Sequence, residues 1–191
     1  MMMRHLQSPS QTVGPFFHYG LILGGENNLV KAKSQGQRII LKGQVLDGDG
    51  LAVPDAMLEI WQPDSQGIFN HPQDPRHAQA DPHFNGFGRS DTRHDGGYLF
   101  HTIKPGAISP ELAPYINVRL FSRGLLIHAI SRFYFADETS NAHDPLLNSL
   151  DATRRNTLIM QKIANPQAEA WPCYQLDIRL QGEGETIFFD V

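Results

Sequence analysis

The stretch YINVRLF, residues 115–121, alternates in the way expected of a β-strand with one buried face. Successive side chains of a strand point to opposite sides, so every second residue lies on the same side. The apolar side is formed by Ile116, Val118 and Leu120. The opposite side carries the phenol of Tyr115 and the amide of Asn117. Packing against an apolar core does not require such polar groups. The stretch therefore predicts a strand with one core face and one face that presents polar groups.

Similar runs recur along the chain and predict an all-β fold. Residues 38–46 and 174–181 alternate in the same manner, and the sequence DGDG at 47–50 is typical of a tight turn. The 17 Gly and 13 Pro residues fit a domain with many turns. About seven short strands separated by turn signals are typical of a β-sandwich, which we expect over residues 38–191.

An arm precedes the predicted strands, and two segments interrupt them. Residues 1–37 lack a strand pattern and are interpreted as an N-terminal arm, whose aromatic sequence TVGPFF indicates packing on a protein surface. Residues 62–96, rich in Pro, Asp, His and Gly, are predicted to form a long loop. One short helix is expected at about residues 149–164, ended by the Asn-Pro pair at 165–166.

Composition and charge exclude several functional classes. The net charge of −4 and the pI near 6.1 argue against nucleic-acid or anionic-membrane binding, which usually needs a basic patch. No apolar run has the length of a signal sequence or a transmembrane helix, so a cytoplasmic protein is expected. Cys173 is the only cysteine, which rules out an intrachain disulfide and makes a thiolate metal site untenable.

Common catalytic and metal-binding motifs are absent from the sequence. It contains no GxGxxG, Walker A, GxSxG or HExxH pattern. His71, His77 and His83 lie in the predicted long loop near Asp74 and Asp81, but none forms a short-spaced ligand pair on a regular element. We interpret these histidines as solvated loop residues rather than as metal ligands.

Arg132 is the most unusual polar residue of the predicted strands. Within the run LLIHAISRFYF, residues 125–135, it shares a predominantly apolar face with Ile130 and Tyr134. A guanidinium on such a face needs an anionic partner or an opening to solvent. The pattern alone leaves two interpretations open, a structural ion pair and a binding site for an anion such as a carboxylate.

Four segments, taken together, resemble the intradiol ring-cleaving dioxygenases. They occur in the order found in that family, and the resemblance extends from about residue 8 to the C-terminus. They are TVGPFF at 12–17, LEIWQPDSQG at 58–67, FNGFGRSDT at 84–92 and GGYLFHTIKPG at 96–106. The resemblance implies a β-sandwich with extended loops. It also implies non-haem Fe(III) chemistry, because catalytic members hold that ion with two tyrosines and two histidines.

The positions of those four ligands carry other residues in this chain. Phe69 stands where the first tyrosine of the family is found, and Ile108 where the second is found. Tyr115 and Asn117 stand in place of the two histidines. Phe69 and Ile108 offer no donor atom, and one phenol with one amide oxygen cannot make a ferric site. We therefore expect that this chain binds no iron by itself and that Fe(III) lies in a partner subunit.

Three further segments look like one chain type within the family, the type that pairs with a homologous iron-bearing chain. They are SQTVGPFF at 10–17, DPLLNSLDATRRNTL at 144–158 and DIRLQGEGETIFFDV at 177–191. The resemblance implies that the arm packs on the partner chain in a higher-order hetero-oligomer. It also implies that Thr12, Gly14, Pro15 and Arg132 wall the substrate pocket of the partner, with Arg132 supplying positive charge.

The activity implied by the resemblance is O2-dependent intradiol cleavage of 3,4-dihydroxybenzoate to 3-carboxy-cis,cis-muconate. In this reading no catalytic residue lies in this chain alone. The alternative is a stand-alone β-sandwich of dioxygenase ancestry that serves as a binding or structural domain. The two are distinguished by whether the chain co-purifies with an iron-bearing homologue.

Overall fold

The computed structural model describes residues 20–92, 94–164 and 171–190. Strands dominate these ranges, as the alternating runs predict. They are β1 Arg38–Leu46, β2 Met57–Trp61, β3 Phe87–Asp91, β4 Gly97–Ile103, β5 Tyr115–Phe121, β6 Ala129–Phe135, β7 Ile159–Ile163, β8 Cys173–Gln175 and β9 Ile178–Arg179.

The strands form two sheets that share one edge. One sheet has the order β3-β2-β5-β6, with antiparallel neighbours, and the other has the order β7-β8-β1-β4. Strand β7 connects them, because it pairs in parallel with the end of β6 and antiparallel with β8. Strand β9 adds to β1. The prediction of an all-β sandwich-type fold is confirmed.

The main core lies between the two sheets. Ile116, Val118 and Leu120 of β5 are at most 1 % exposed and belong to one apolar cluster with residues of β1 and β4 such as Leu41 and Phe100. This is the face that the alternation of residues 115–121 predicts to be buried. The sequence DGDG at 47–50 forms a turn, as expected, in which the Asp47 amide donates to the Leu51 carbonyl at 2.9 Å.

The described part of the predicted arm, residues 20–37, lies against this same chain. Leu29 is 4 % exposed and belongs to the main core. Its amide donates to the His101 carbonyl at 2.8 Å. The rest of the arm, residues 1–19, falls outside the described ranges, so its packing on a partner chain stays a prediction.

The predicted helix over residues 149–164 is wrong in position. The α-helix α1 spans Pro145–Ser149, a 3-10 turn follows at Arg155–Leu158, and β7 occupies Ile159–Ile163. The apolar residues of this segment are read equally well as helix or strand. The segment is a strand because its backbone pairs with both β6 and β8.

The predicted loop over residues 62–96 is also interrupted by a strand. Strand β3 lies within it and pairs along its whole length with β2. Its sequence FGRSD has a glycine and few apolar residues, so its own composition does not indicate a strand. Two of the predicted strands are shorter than expected, since β6 begins at Ala129 and the run 174–181 divides into β8 and β9.

Candidate functional site: the outer groove

A groove of about 1060 Å³ lies on the sheet β3-β2-β5-β6, on the face turned away from the main core. We call it the outer groove. Outward-facing strand residues form its base, and two loops form its walls. Its lining includes Glu59, Trp61, Phe69, His71, Asp74, Arg76, Phe87, Ile108, Asn117, Arg119, Arg132 and Asp190.

The two wall loops carry Phe69 and Ile108 and are pressed together backbone to backbone. A Cβ atom on Gly67 would lie 1.9 Å from the Ala107 carbonyl oxygen, and the φ of Gly67 is +77°. Only glycine satisfies both conditions without strain. Arg76 joins the loops, donating to the Gly67 carbonyl at 2.9 Å and to the Ile108 carbonyl at 3.3 Å. The places of Phe69 and Ile108 are therefore fixed by the backbone around them.

The carboxylate of Asp74 also takes part in the contact between the two wall loops. Its carboxylate accepts the Phe69 amide at 3.0 Å and forms an ion pair with Arg76 at 3.2 Å. The hydrogen bond from the Arg76 side chain, with those from backbone amides, lowers the Asp74 pKa to about 2 although burial opposes the shift. Asp74 thus acts as a structural anion of the loop, not as an open ligand.

Aromatic side chains line one side of the outer groove. Trp61 stacks on Phe69 with ring centres 5.5 Å apart and an interplanar angle of 15°. Phe87 lies 6.4 Å from Trp61 in a tilted arrangement, and the His71 ring meets Trp61 edge-on at 6.2 Å. Rings at these separations pack on one another and form an apolar wall of the groove.

Arg132 lies in the same groove, above the strand that carries Tyr115 and Asn117. Its guanidinium carbon is 4.1 Å from the centre of the Tyr115 ring. In the antiparallel pairing of β5 with β6, Arg132 is directly opposite Asn117, and Tyr134 is opposite Tyr115. Among the described residues, Arg132 has no carboxylate partner within ion-pair distance. The interpretation of Arg132 as half of a structural ion pair is not supported within these ranges.

Tyr134 and Asp144 support this corner of the groove from below. Burial raises the Tyr134 pKa to about 12, although the nearby Arg132 guanidinium opposes the shift. The Tyr134 hydroxyl donates to Asp144 at 3.5 Å. The fully buried Asp144 also accepts the Ala113 and Leu147 amides at 3.0 Å each, and so caps helix α1. The Tyr134 ring also lies 5.8 Å from the Tyr115 ring, so this buried corner supports Tyr115 from below.

The residues at the four positions where the motif resemblance implies iron ligands do not fit a ferric ion. Phe69 and Ile108 have no donor atom, and Asn117 offers only an amide. The Tyr115 phenol lies under the Arg132 cation, which would repel a second positive charge. Within residues 20–92, 94–164 and 171–190, no three His, Cys, Asp or Glu side chains are grouped so as to hold a metal. The expectation that this chain alone binds no iron stays a prediction.

The structure brings together part of the predicted site. Phe69, Ile108 and Asn117 line one groove with Arg132, and Tyr115 lies directly beneath that arginine. The predicted pocket residues Thr12, Gly14 and Pro15 lie outside the described ranges. His77 and His83, considered as metal ligands and rejected, do not line the groove, and Asp81 is engaged by backbone amides.

The sequence did not indicate the aromatic side of the groove or the contact between its two wall loops. Trp61 could have been found, because it alternates with Ile60 on β2 and therefore points away from the core. Phe87 could not, because its strand was not predicted. Arg76 carries no sequence signal, since its two carbonyl acceptors belong to separate loops.

Comparison with known proteins agrees with the fold. The family model described as "Dioxygenase" matches residues 14–112. The protocatechuate 3,4-dioxygenase alpha chain of Pseudomonas putida is 41 % identical, over 96 % of this chain and 96 % of that protein. The alpha chain of Burkholderia cepacia is 43 % identical, over 97 % and 98 %. The chain belongs to the intradiol dioxygenase family. The resemblance noted from the sequence motifs is thereby confirmed.

Two further matches concern the chain type and the fold of this intradiol dioxygenase family member. The protocatechuate 3,4-dioxygenase beta chain of Burkholderia cepacia is 31 % identical, over 84 % of this chain and 72 % of that protein. An intradiol ring-cleavage dioxygenase of Tetranychus urticae shares the fold, with a TM-score of 0.63 at 21 % identity over 80 % of this chain and 84 % of that one. Among the described residues, no helix is long and apolar enough to cross a membrane.

Proposed function

We propose that this chain is the alpha-type subunit of a protocatechuate 3,4-dioxygenase and that a homologous beta-type subunit holds the Fe(III). The observation that carries the proposal is the combination at the outer groove. A family member with this groove has Phe69, Ile108, Tyr115 and Asn117 at the positions where the motif resemblance implies the four iron ligands. Similarity to named alpha chains over nearly the whole length supports the same assignment.

The reaction we assign to the complex is O2-dependent cleavage of 3,4-dihydroxybenzoate to 3-carboxy-cis,cis-muconate. When bound in the partner, the iron supplies activation of the catechol toward O2. The contribution of this chain is to shape the pocket and to orient the anionic substrate. We assign this role to Thr12, Gly14 and Pro15 of the arm, with Arg132 as the source of positive charge. The higher-order hetero-oligomer and the cytoplasmic location stay predictions.

The Gly14-Pro15 backbone suits such a wall, because it can approach a flat ring without side-chain bulk. Arg132 suits the binding of a carboxylate, because its planar guanidinium can donate two parallel hydrogen bonds. Its position over Tyr115 leaves those N–H groups without a carboxylate among the described side chains. No proton transfer is required of either group.

The test of the subunit assignment is metal analysis with and without the partner. We expect the chain expressed alone to contain no stoichiometric iron and to lack the visible tyrosinate-to-Fe(III) band. Co-expression with a homologous beta-type chain should give a stable complex that has iron, the band and turnover. An iron-loaded isolated chain would contradict the proposal. A chain that forms no complex would favour the stand-alone binding or structural domain.

The test of Arg132 is steady-state kinetics on the complex. We expect Arg132→Ala to raise KM for 3,4-dihydroxybenzoate about tenfold or more, since charge-assisted hydrogen bonds are lost, with the iron content unchanged. Arg132→Lys should retain part of the effect. The control is Arg123→Ala, which removes an exposed guanidinium paired with Asp55 outside the groove. Unchanged KM and kcat in Arg132→Ala would reject the role.

A further inference from the structure

Tyr115 lies directly beneath Arg132, the residue that we assign to the substrate carboxylate. Its ring centre is 4.1 Å from the guanidinium carbon, and Tyr115 itself is only 8 % exposed. We propose that Tyr115 is a positioning residue, whose ring face holds the Arg132 guanidinium in the orientation that receives the carboxylate. The consequence for turnover rests on the proposed function of Arg132, whereas the contact itself can be tested in this chain alone.

The register between β5 and β6 explains why this contact forms. Arg132 is directly opposite Asn117, so Tyr115 is its diagonal neighbour on the same side of the sheet. Diagonal neighbours are about 7–8 Å apart, a distance that a long side chain can span. The guanidinium of Arg132 thus lies over Tyr115, although its backbone is paired with that of Asn117.

The Tyr115 ring is itself held in place, which a positioning residue requires. It lies 5.8 Å from the Tyr134 ring, centre to centre, and belongs to an apolar cluster with Leu147 and Leu158. Leu147, Leu158 and Tyr134 are each at most 1 % exposed. A ring that is packed in this way offers a fixed surface, so a side chain stacked on it loses mobility as well.

An aromatic ring restrains a guanidinium without neutralising it. The cation is attracted by the ring quadrupole, and a planar guanidinium can stack on the ring face. Its N–H groups lie in its own plane and stay available for a carboxylate. Among the described residues, no carboxylate lies within ion-pair distance of Arg132. Arg132 therefore keeps its charge for a ligand while losing little freedom when the ligand binds.

The first experiment is nuclear magnetic resonance of the isotope-labelled full chain. The Arg132 Nε–H signal is identified by its absence from Arg132→Lys. We expect it upfield of the signal of Arg123, whose side chain is 74 % exposed, because ring currents shield protons above a ring face. Tyr115→Leu should remove the upfield shift, and Tyr115→Phe, which keeps the ring, should retain it. An Arg132 signal at the position of an exposed arginine in the parent chain would overturn the proposal.

The second experiment is steady-state kinetics on the co-expressed complex. We expect Tyr115→Leu to raise KM for 3,4-dihydroxybenzoate about three- to tenfold, with little change in kcat and the same iron content. Tyr115→Phe should restore KM to within about twofold of the parent value, because the ring face is retained. In a chain that already carries Arg132→Ala, Tyr115→Leu should add nothing further, because it acts through that guanidinium. A merely structural role would add its effect in both backgrounds.

The outcomes separate this proposal from the function assigned to Arg132. If Arg132→Ala raises KM but Tyr115→Leu does not, or if Tyr115→Phe is as harmful as Tyr115→Leu, the positioning role is wrong and the function of Arg132 stands. If Arg132→Ala leaves KM unchanged, the function of Arg132 fails, and the resonance experiment still decides whether the ring holds the guanidinium. Circular dichroism must show that Tyr115→Leu is folded as the parent is. Otherwise Tyr115→Met replaces it, because a flexible methionine fills irregular space.

Discussion

The two faces of strand β5 belong to the same seven residues but have different tasks. The inner face, formed by Ile116, Val118 and Leu120, is completely buried between the sheets. The outer face presents Asn117 to the outer groove and covers Tyr115 with the guanidinium of Arg132. One face is specified by a pattern within the strand, and the other by partners that come from distant parts of the chain.

The difference shows which positions can change without loss of the fold. Replacing metal ligands on the outer face leaves the alternation intact, because period-2 patterning depends on the inner residues. The loops that hold Phe69 and Ile108 are likewise fixed by Gly67, Asp74 and Arg76, none of which is at a ligand position. Substitutions at Phe69, Ile108 and Asn117 are therefore compatible with the same groove and the same wall loops.

The largest effect is expected from a change on the inner face. Ile116→Ala removes a fully buried side chain and leaves a cavity between the sheets. We expect the free energy of unfolding to fall by about 2–5 kcal/mol. Urea denaturation measures it, with Arg119→Ala on the exposed outer side of the same strand as the control, expected within about 0.5 kcal/mol. Equal losses in the two variants would remove the distinction between the faces.

A smaller loss of stability is expected from a substitution beneath the outer face of β5. Asp144→Ala leaves the buried Ala113 and Leu147 amides without their acceptor and removes the cap of helix α1. We expect a loss of about 2–3 kcal/mol in unfolding free energy, together with weaker ordering of the corner at Tyr134. Thermal and urea denaturation measure this loss.

The control for Asp144 is Asp151→Ala. Asp151 also accepts two backbone amides, from Thr153 and Arg154, but in an exposed turn. Water can replace its hydrogen bonds, so we expect a clearly smaller loss than in Asp144→Ala. If Asp144→Ala were no more harmful than Asp151→Ala, the buried support of the groove would be unimportant for stability.

The sequence predicted the inner face far better than the outer one. Strands β1 and β5 lie where their alternation places them, because apolar residues at every second position specify both the strand and its buried side. Strand β7 was mistaken for a helix, because the positions of Leu158, Ile159 and Ile163 do not distinguish the two, and its pairing partners are distant in sequence.

The prediction of the candidate site from the sequence has the same limit. Pattern alone placed Arg132 on one face with Ile130 and Tyr134, and the resemblance marked Phe69, Ile108, Tyr115 and Asn117. Neither could indicate that Arg132 lies over Tyr115 and opposite Asn117, because that depends on the register between β5 and β6. The register is set by the connection between the strands and by packing of both faces, not by any local motif.

The smallest effect is expected from the ion pair at the edge of the groove. Glu59 of β2 lies directly opposite Arg89 of β3, with a nitrogen–oxygen distance of 2.8 Å and side chains that are 13 % and 26 % exposed. A double-mutant cycle with Glu59→Gln and Arg89→Gln should give a coupling free energy of about 0.5–1 kcal/mol, since cross-strand ion pairs contribute little even when partly buried. Urea denaturation of the four proteins measures the coupling. A coupling as large as the loss in Ile116→Ala would mean that charge pairing, and not only the apolar inner face, holds β3 to the sheet. A value near zero would mean that the Glu59–Arg89 pair adds nothing to the pairing of β2 with β3.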